Sequence, residues 1–173
     1  MEFKKLIAER YSVRKFKNQK LSKEVIDEIL KCGHLAPTGC NFQPQRVLVL
    51  TEEDSLNKLK NCTRCHFDAP NAMIICYNKD ESWVRRKFDG ALSAPVDASI
   101  VTTYMMLGAW DLGVGSCWVM SFDPDAVIKE FNVPENLVPL AILVMGYPAE
   151  DSTPIDMHYA YRPIEEVVKF EKF

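Results

Sequence analysis

The stretch SAPVDASIVTTYMMLGAWD (93–111) constrains the fold of this chain more than any other part of the sequence. Ser93 and Pro95 are typical of a helix start, because serine caps free backbone N–H groups and proline fits the first helical turn. From there to about Asp111, apolar residues fall on almost every helical face. Such a helix has to be covered on all sides. In a chain of 173 residues, this predicts a central core helix or a subunit interface.

Four short apolar segments predict strands, and helical patterns separate them. The predicted strands are 46–51, 71–77, 116–120 and 139–146. The other predicted helices are 2–9, one over LSKEVIDEILKCGHLAP with Ser22 as its N-cap, 52–60, and one from Asp123-Pro124 to about Phe131. Alternation of strands and helices predicts a mixed layered domain with crossovers rather than hairpins, and leaves the strand directions open.

The whole chain, 1–173, is expected to form a single domain. Its last part, 147–173, is polar, contains proline and lacks a clear core period. We therefore expect this segment to be a tail that lies on another surface. No internal repeat, low-complexity segment or linker divides the sequence.

The bulk composition excludes several classes of function. The net charge of −3 does not favour a general nucleic-acid binder or a protein that binds anionic membranes. No run of 18 apolar residues predicts a membrane span, and MEFKKLIAER does not resemble a secretion signal. The six cysteines are therefore expected to be reduced thiols, and the protein to be cytoplasmic.

The sequence CTRCH (62–66) matches the pattern for covalent haem attachment. Haem attachment requires an oxidising compartment and a second axial ligand, and neither is indicated. A zinc site needs four ligands, and no partner pair with the usual spacing is present. We interpret the motif as a coincidence and expect no metal site, with haem and zinc as the alternatives.

The glycines of DLGVGSC (111–117) do not form a dinucleotide fingerprint. The third glycine is missing, and the segment follows a helix instead of a strand. A helix C-cap followed by a tight turn into a strand explains both glycines. No Ser-His-Asp arrangement or carboxylate pair is recognisable either, so no catalytic side chain is assigned.

The stretch ERYSVRKF (9–16) places Arg10 and Arg14 around Ser12, directly after the first helix. By itself it suits a solvated loop. It also suits a set of hydrogen-bond donors for a phosphate or another anion.

The loop APTGCNFQPQ (36–45) lies between a predicted helix and a predicted strand. It is either a stiff connection or a surface that offers backbone N–H groups and the amides of Asn41 and Gln43 to a planar polar ligand. YRP, near the C-terminus, adds Arg162 to the predicted tail.

Taken together, these segments resemble the FMN-dependent nitroreductase family. ERYSVRKF, LAPTGCNFQPQ, VDASIVTTYMMLGAWDLGVGSCWVMSFDP, LVPLAILVMGYP and YRPIEEVV occur in that order and span nearly the whole chain. The resemblance implies an α+β fold with a central, mostly antiparallel sheet flanked by helices. It also implies an intertwined homodimer with two FMN sites at the interface, the tail 147–173 packing on the partner.

The resemblance also implies which residues bind the cofactor. Arg10 and Ser12 resemble contacts to the FMN phosphate and ribityl chain, and Tyr11 between them is included in the site. Arg14 resembles the cation beside the N1/O2 edge of the flavin, where it would stabilise the reduced form. Arg162 resembles a C-terminal arginine that binds the phosphate.

Two further groups complete the implied site. One resembles the loop that the partner subunit places against the flavin: Pro37, Thr38, Gly39 and Asn41. The other resembles the strand end beneath the isoalloxazine ring: Trp118, Val119, Met120 and Ser121. The family often has a small residue in place of Met120 and a large aromatic residue in place of Gln45, which puts the shape of the substrate pocket in question.

The activity implied is reduction of nitroaromatic, quinone or related small electron acceptors by NADH or NADPH, in two half-reactions at one flavin face. FMN would carry the chemistry, so no protein acid or base is required. Alternatives are another reaction of the superfamily, such as ene reduction or reductive dehalogenation, and a flavin-binding protein without turnover. A haem-bearing electron carrier built on CTRCH is the alternative outside flavoproteins.

Overall fold

A computed structural model describes residues 2–173 and places four strands and six α-helices in them. The strands are β1 (Gln45–Leu50), β2 (Asn71–Asn78), β3 (Gly115–Val119) and β4 (Leu137–Gly146). The helices are α1 (Phe3–Glu9), α2 (Lys23–His34), α3 (Glu53–Cys62), α4 (Ala94–Asp111), α5 (Pro124–Phe131) and α6 (Ile164–Val167). Every strand and every long helix predicted from the sequence is confirmed to within a few residues.

The strands form one sheet in the order β1-β2-β4-β3, and every pair of neighbours is antiparallel. A helix lies between each strand and the next along the chain. The predicted crossovers are nevertheless wrong for β1–β2 and β3–β4, which are antiparallel neighbours, and only the connection from β2 to β3 crosses another strand. The antiparallel directions confirm the architecture that the family resemblance implied. β3 pairs with β4 alone among the strands and therefore lies at one edge of the sheet.

The helix starts follow the predicted chemistry with one exception. The Ser22 side chain accepts a hydrogen bond from the Val25 backbone N–H, and Asp123 caps α5 through two backbone N–H groups. Ser93 precedes α4 as predicted, but its hydroxyl makes no cap bond. It donates to the Asp97 carboxylate at 2.7 Å, and this contact becomes important below.

Two hydrophobic cores cover the two faces of the sheet. One lies under α2 and α4 and is centred on Met73, Leu143 and Met145 of the central strands. The other lies under α3 and α5 and contains Ile74 and Ile142. Residues on neighbouring positions of β2 and β4 alternate between the two cores, as expected for strands buried on both faces.

Helix α4 packs on the sheet through only one of its stripes. Ala98, Val101 and Met105 are buried there. On other faces Val96 is 61% exposed and Tyr104 is 41% exposed. Of the two alternatives for this helix, a core helix enclosed by its own chain is therefore wrong, and a subunit interface stays a prediction. Within residues 2–173, no helix combines the length and the apolar character needed to cross a bilayer.

The C-terminal tail begins against the domain and then leaves it. The Tyr11 hydroxyl donates to the Ser152 carbonyl at 3.0 Å. From Tyr159 to Phe173 every residue is exposed, including Phe170 and Phe173. The tail thus carries large apolar side chains that its own chain does not bury.

Candidate functional site

The segment that contains Arg10 and Arg14 runs directly along the free edge of β3. The Val13 N–H donates to the Ser116 carbonyl at 3.0 Å, and Ser12 and Ser116 form a parallel bridge. Since the bridge is parallel, residues 12–14 run in the same direction as 116–118. The structure therefore brings together two groups of site residues that are about a hundred positions apart in the sequence.

Gly115 makes this close approach possible. A Cβ atom at this position would lie 2.5 Å from Val13 Cγ2 and 2.8 Å from Val13 Cβ. Val13 is fully buried and cannot move aside. The second glycine of DLGVGSC thus seats the arginine segment on β3, whereas Gly113, with a φ of 75°, makes the turn after α4.

Both arginines of this segment lack a carboxylate partner among residues 2–173. Arg14 Nη1 donates to the Ser12 carbonyl at 3.2 Å, and Arg10 Nη1 lies 4.0 Å from Met106 Sδ. Burial raises the pKa of the neighbouring Cys117 thiol, and the positive charge of Arg14 opposes this effect. The edge of β3 consequently carries two positive charges that no negative side chain in the described part of the chain neutralises.

A cleft of about 180 Å³ opens beside these residues. Its floor includes Tyr11, whose ring packs edge-on against Trp110 with 5.3 Å between centroids. The start of the tail forms the opposite wall. The lining residues are Tyr11, Ser12, Arg14, Pro154, Ile155, Met157 and His158.

The predicted strand-end group lies where β3 leaves the sheet, and its members differ in accessibility. Trp118 is half-buried and packs on the α2/α4 side, whereas the Val119 side chain is buried on the other side. Met120 and Ser121 are exposed. A ligand at this strand end can therefore touch the Met120 and Ser121 side chains, but it can reach Val119 only through the backbone.

The loop Pro37–Asn41 is fixed to the start of α4 by a buried carboxylate. Asp97, 3% exposed, accepts hydrogen bonds from the Gly39 N–H at 2.8 Å and from the Ser93 hydroxyl at 2.7 Å. Gly39 is close to this contact, since a Cβ there would lie 2.9 Å from Ser93 Oγ. Asn41 has a φ of 58°, a left-handed conformation that asparagine tolerates well. The loop is thus held rigidly, with Pro37 and Asn41 exposed.

One chain does not bring this loop and the arginines together. The loop binds α4 at Asp97, whereas Arg10 approaches the same helix at Met106. Nine residues of helix separate the two contacts, which is about 13 Å along its axis. Arg162 is also apart from the other arginines: it lies in the exposed tail and pairs with Glu166 at 3.5 Å.

Sequence reasoning missed Asp97, Gly115 and Thr63 as structural supports of the site. Asp97 is the only charged residue from Ser93 to Trp110, a stretch that is otherwise apolar or carries only hydroxyl groups, and that contrast is a usable signal. Thr63 donates its hydroxyl to the Ser121 carbonyl at 2.6 Å, and nothing in its sequence context indicated this contact.

The CTRCH stretch serves as a support for the strand end. The Asp123 N–H donates to the Cys62 carbonyl at 2.8 Å, next to the Thr63 contact. Burial raises the pKa of the Cys62 thiol to about 11, so this sulfur stays protonated at neutral pH. Among residues 2–173 no three His, Cys, Asp or Glu side chains are grouped so that they could hold a metal ion.

Comparison with known proteins gives one consistent result. The model of the nitroreductase family matches residues 7–73 and 60–147. A crystal structure of a nitroreductase family protein from Clostridium difficile 630 is 40% identical, with a TM-score of 0.93 and 100% of both chains covered. An FMN-dependent nitroreductase from Clostridium difficile R20291 is 26% identical, with a TM-score of 0.79, covering 97% of this chain and 98% of that chain.

A curated relative supports the same assignment. A protein of Archaeoglobus fulgidus, named as an NADH dehydrogenase/NAD(P)H nitroreductase, is 29% identical over 154 residues. The alignment covers 85% of this chain and 86% of the relative.

Proposed function

Because the chain belongs to the nitroreductase family, we propose that it is an FMN-dependent oxidoreductase that uses NADH or NADPH to reduce small electron acceptors. Nitroaromatic compounds and quinones are the proposed acceptor classes. The names of relatives support the cofactor and the donor, since one is an FMN-dependent nitroreductase and another an NAD(P)H nitroreductase.

The observation that carries this proposal is the pair of unneutralised arginines on the edge of β3. Arg10 and Arg14 have no carboxylate partner within the described part of the chain, and Ser12 lies between them. A dianionic phosphate is the ligand that such a donor set fits, because it forms charge-assisted hydrogen bonds with both guanidinium and hydroxyl groups. The residues present therefore suit FMN, whose phosphate is terminal.

Each group of residues has a distinct proposed role toward the cofactor. Arg10, Ser12 and Arg162 bind the phosphate and ribityl chain, and Tyr11 forms the floor of the cleft. Arg14 supplies a fixed positive charge that favours the more negative, reduced form of the ring system. Trp118, Val119, Met120 and Ser121 form the wall on which the ring lies.

When bound, FMN supplies the redox chemistry by taking up a hydride from the nicotinamide and passing it to the acceptor. The chain itself positions the cofactor and the substrates, excludes water from the site and sets the charge around the flavin. This division of labour agrees with a site that contains two arginines and the hydroxyl groups of Tyr11 and Ser12.

We also propose that each site is built from two copies of the chain. Pro37, Thr38, Gly39 and Asn41 are held about 13 Å along α4 from the Arg10 contact, so a second copy could place them against the flavin. The exposed apolar residues of α4 and the exposed end of the tail, from Tyr159 to Phe173, support the same arrangement. Burial of Val96, Tyr104 and Phe170 against a partner would provide the hydrophobic free energy for it.

The visible spectrum of the purified protein tests this function, followed by acid release of the chromophore and anaerobic titration. We expect flavin absorbance, FMN as the released compound, and bleaching by NADH or NADPH. Release of FAD, a haem Soret band, or a bound flavin that neither nicotinamide reduces would each contradict the proposal. The last result would indicate a flavin-binding protein without turnover.

A further inference from the structure

The segment 83–90, here called the basic loop, is a surface feature that the proposed cofactor site does not use. It reads WVRRKFDG and joins β2 to α4. A bridge between Val84 and Leu92 closes its base, and the Arg85 N–H donates to the Ala91 carbonyl at 3.0 Å. The loop is thus a small hairpin with its tip in solvent.

The tip combines two unneutralised cations with an exposed aromatic ring. Arg85 is neutralised, because its guanidinium donates to both oxygens of Asp89 at 2.7 and 2.6 Å. Arg86 and Lys87 are exposed, and their side chains have no hydrogen-bonding or ionic partner among residues 2–173. Phe88 beside them is 84% exposed. On a chain with a net charge of −3, this concentration of positive charge requires an explanation.

The same residues enclose a groove of about 320 Å³. Its lining is mostly apolar and includes the two aromatic residues Trp83 and Phe88 beside the basic residues of the tip. A planar heterocycle can stack on an aromatic ring in such a groove, and the cationic ends of the basic side chains then lie at its margin. An aromatic base that carries phosphate groups is the ligand that this combination fits.

The base of the loop adjoins the loop that we place against the flavin. The position of a Cβ on Gly39 is 3.5 Å from Trp83 Cβ, and Ser93, which closes the basic loop, bonds to the same Asp97 as Gly39. A dinucleotide whose nicotinamide end reaches the flavin can therefore extend its adenosine end along this hairpin.

We propose that the basic loop binds the adenosine half of NADPH, with Phe88 and Trp83 against the adenine and Arg86 and Lys87 at the 2′-phosphate. This proposal rests on the proposed function and specifies its electron donor. The loop favours NADPH, because Arg86 and Lys87 can pair with its 2′-phosphate, whereas the Asp89 carboxylate is held in an ion pair with Arg85 and is less available to a ribose diol. A free carboxylate is the group that recognises that diol in NADH sites, whereas arginine accommodates the 2′-phosphate.

The test compares NADPH and NADH as donors for the FMN-loaded enzyme and for the double variant Arg86→Ala/Lys87→Ala. Loss of the two phosphate contacts should raise the KM for NADPH about tenfold or more and change the KM for NADH less than threefold. Phe88→Ala should raise both KM values, since both donors carry adenine. Lys58→Ala/Lys129→Ala is the matched control, because it removes two exposed, unpaired lysines from α3 and α5.

A binding measurement separates this proposal from the proposed function. Quenching of tryptophan fluorescence by 2′,5′-ADP should be about tenfold weaker in the Arg86→Ala/Lys87→Ala variant, while FMN content and reduction by dithionite stay normal. Equal KM changes for both donors, or unchanged 2′,5′-ADP binding, would overturn the proposal while the enzyme remains a flavoprotein. A double variant that alters the oligomeric state instead of NADPH binding would show that the loop is a subunit contact and would also overturn it.

Discussion

Replacement of Asp97 by alanine tests how the site is held together. The carboxylate is buried and accepts hydrogen bonds from the Gly39 N–H and the Ser93 hydroxyl. Without it, two partly buried donors lose their acceptor, and an unsatisfied donor costs about 1–3 kcal/mol when it is fully buried. Because these donors are only partly buried, we expect Asp97→Ala to lower the free energy of unfolding by about 1–4 kcal/mol. For a chain of this size, the corresponding fall in Tm is on the order of 10 °C.

The same variant should weaken FMN binding, because Gly39 belongs to the loop proposed to lie against the flavin. We expect the affinity to fall about tenfold, measured by flavin fluorescence after dilution at a temperature where the variant is folded. Ser93→Ala removes only one of the two hydrogen bonds and should cost about half as much stability. Asp54→Ala, at an exposed position of α3, is the control and should change neither quantity.

Two results would refute this reasoning. If Asp97→Ala unfolds at the native Tm, the two hydrogen bonds do not stabilise the chain. If it is destabilised as expected but binds FMN with native affinity, the loop Pro37–Asn41 is not part of a flavin site.

Three further predictions concern the arginines and the cysteines. Arg10→Ala should weaken FMN binding about tenfold to a hundredfold, because a phosphate contact acts equally in both redox states. Arg14→Ala should instead lower the reduction potential of the bound flavin, because its charge favours the reduced form. Equal shifts of the reduction potential in the two variants, measured by spectroelectrochemistry, would contradict this division of roles. The double variant Cys62→Ala/Cys65→Ala should keep its flavin, turn over within a few fold of the native rate and lose only a little in Tm. If this variant is folded and flavin-loaded but inactive, CTRCH takes part in the reaction. Burial raises the pKa of the Cys62 and Cys76 thiols to about 11. The folded state therefore holds these two protons more tightly than the unfolded state does. The resulting stabilisation is fully present below about pH 9 and should be lost as the pH rises toward 11. The Tm from thermal melts should fall over this pH range, and it should fall less steeply in Cys76→Ala. Identical slopes of Tm against pH in the two proteins would contradict the raised pKa of Cys76.

The sequence predicted the elements of the fold well, because their signals are local. Strand patterns, the caps Ser22 and Asp123, and the prolines in the first turns of α4 and α5 act over a few residues, and they lie where predicted. The direction of the strands is not a local property, and it followed only from the family resemblance. Which neighbours cover α4 is not a local property either. The sequence pattern shows that nearly every face of this helix is apolar, but only the packing shows which face meets the sheet.

The site was predicted as a set of residues but not as a geometry. The sequence does not indicate that Ser12 pairs with Ser116, since that contact depends on the absence of a side chain at Gly115. It does not indicate that Asp97 holds Gly39, because the two lie 58 positions apart. Arg162 was placed with the other arginines by resemblance alone, and in one chain it lies in the exposed tail.

Sedimentation velocity with detection at the flavin absorbance tests most directly whether two chains build each site. A dilution series of the native protein should show flavin in a species of two 19.8 kDa chains, and flavin should be released as that species dissociates. Val96→Glu places a charge on an exposed face of α4, outside the core of its own chain, and should lose the dimer and the flavin together while the fold persists by circular dichroism. A folded single chain of 19.8 kDa that sediments with flavin at native affinity would contradict the account.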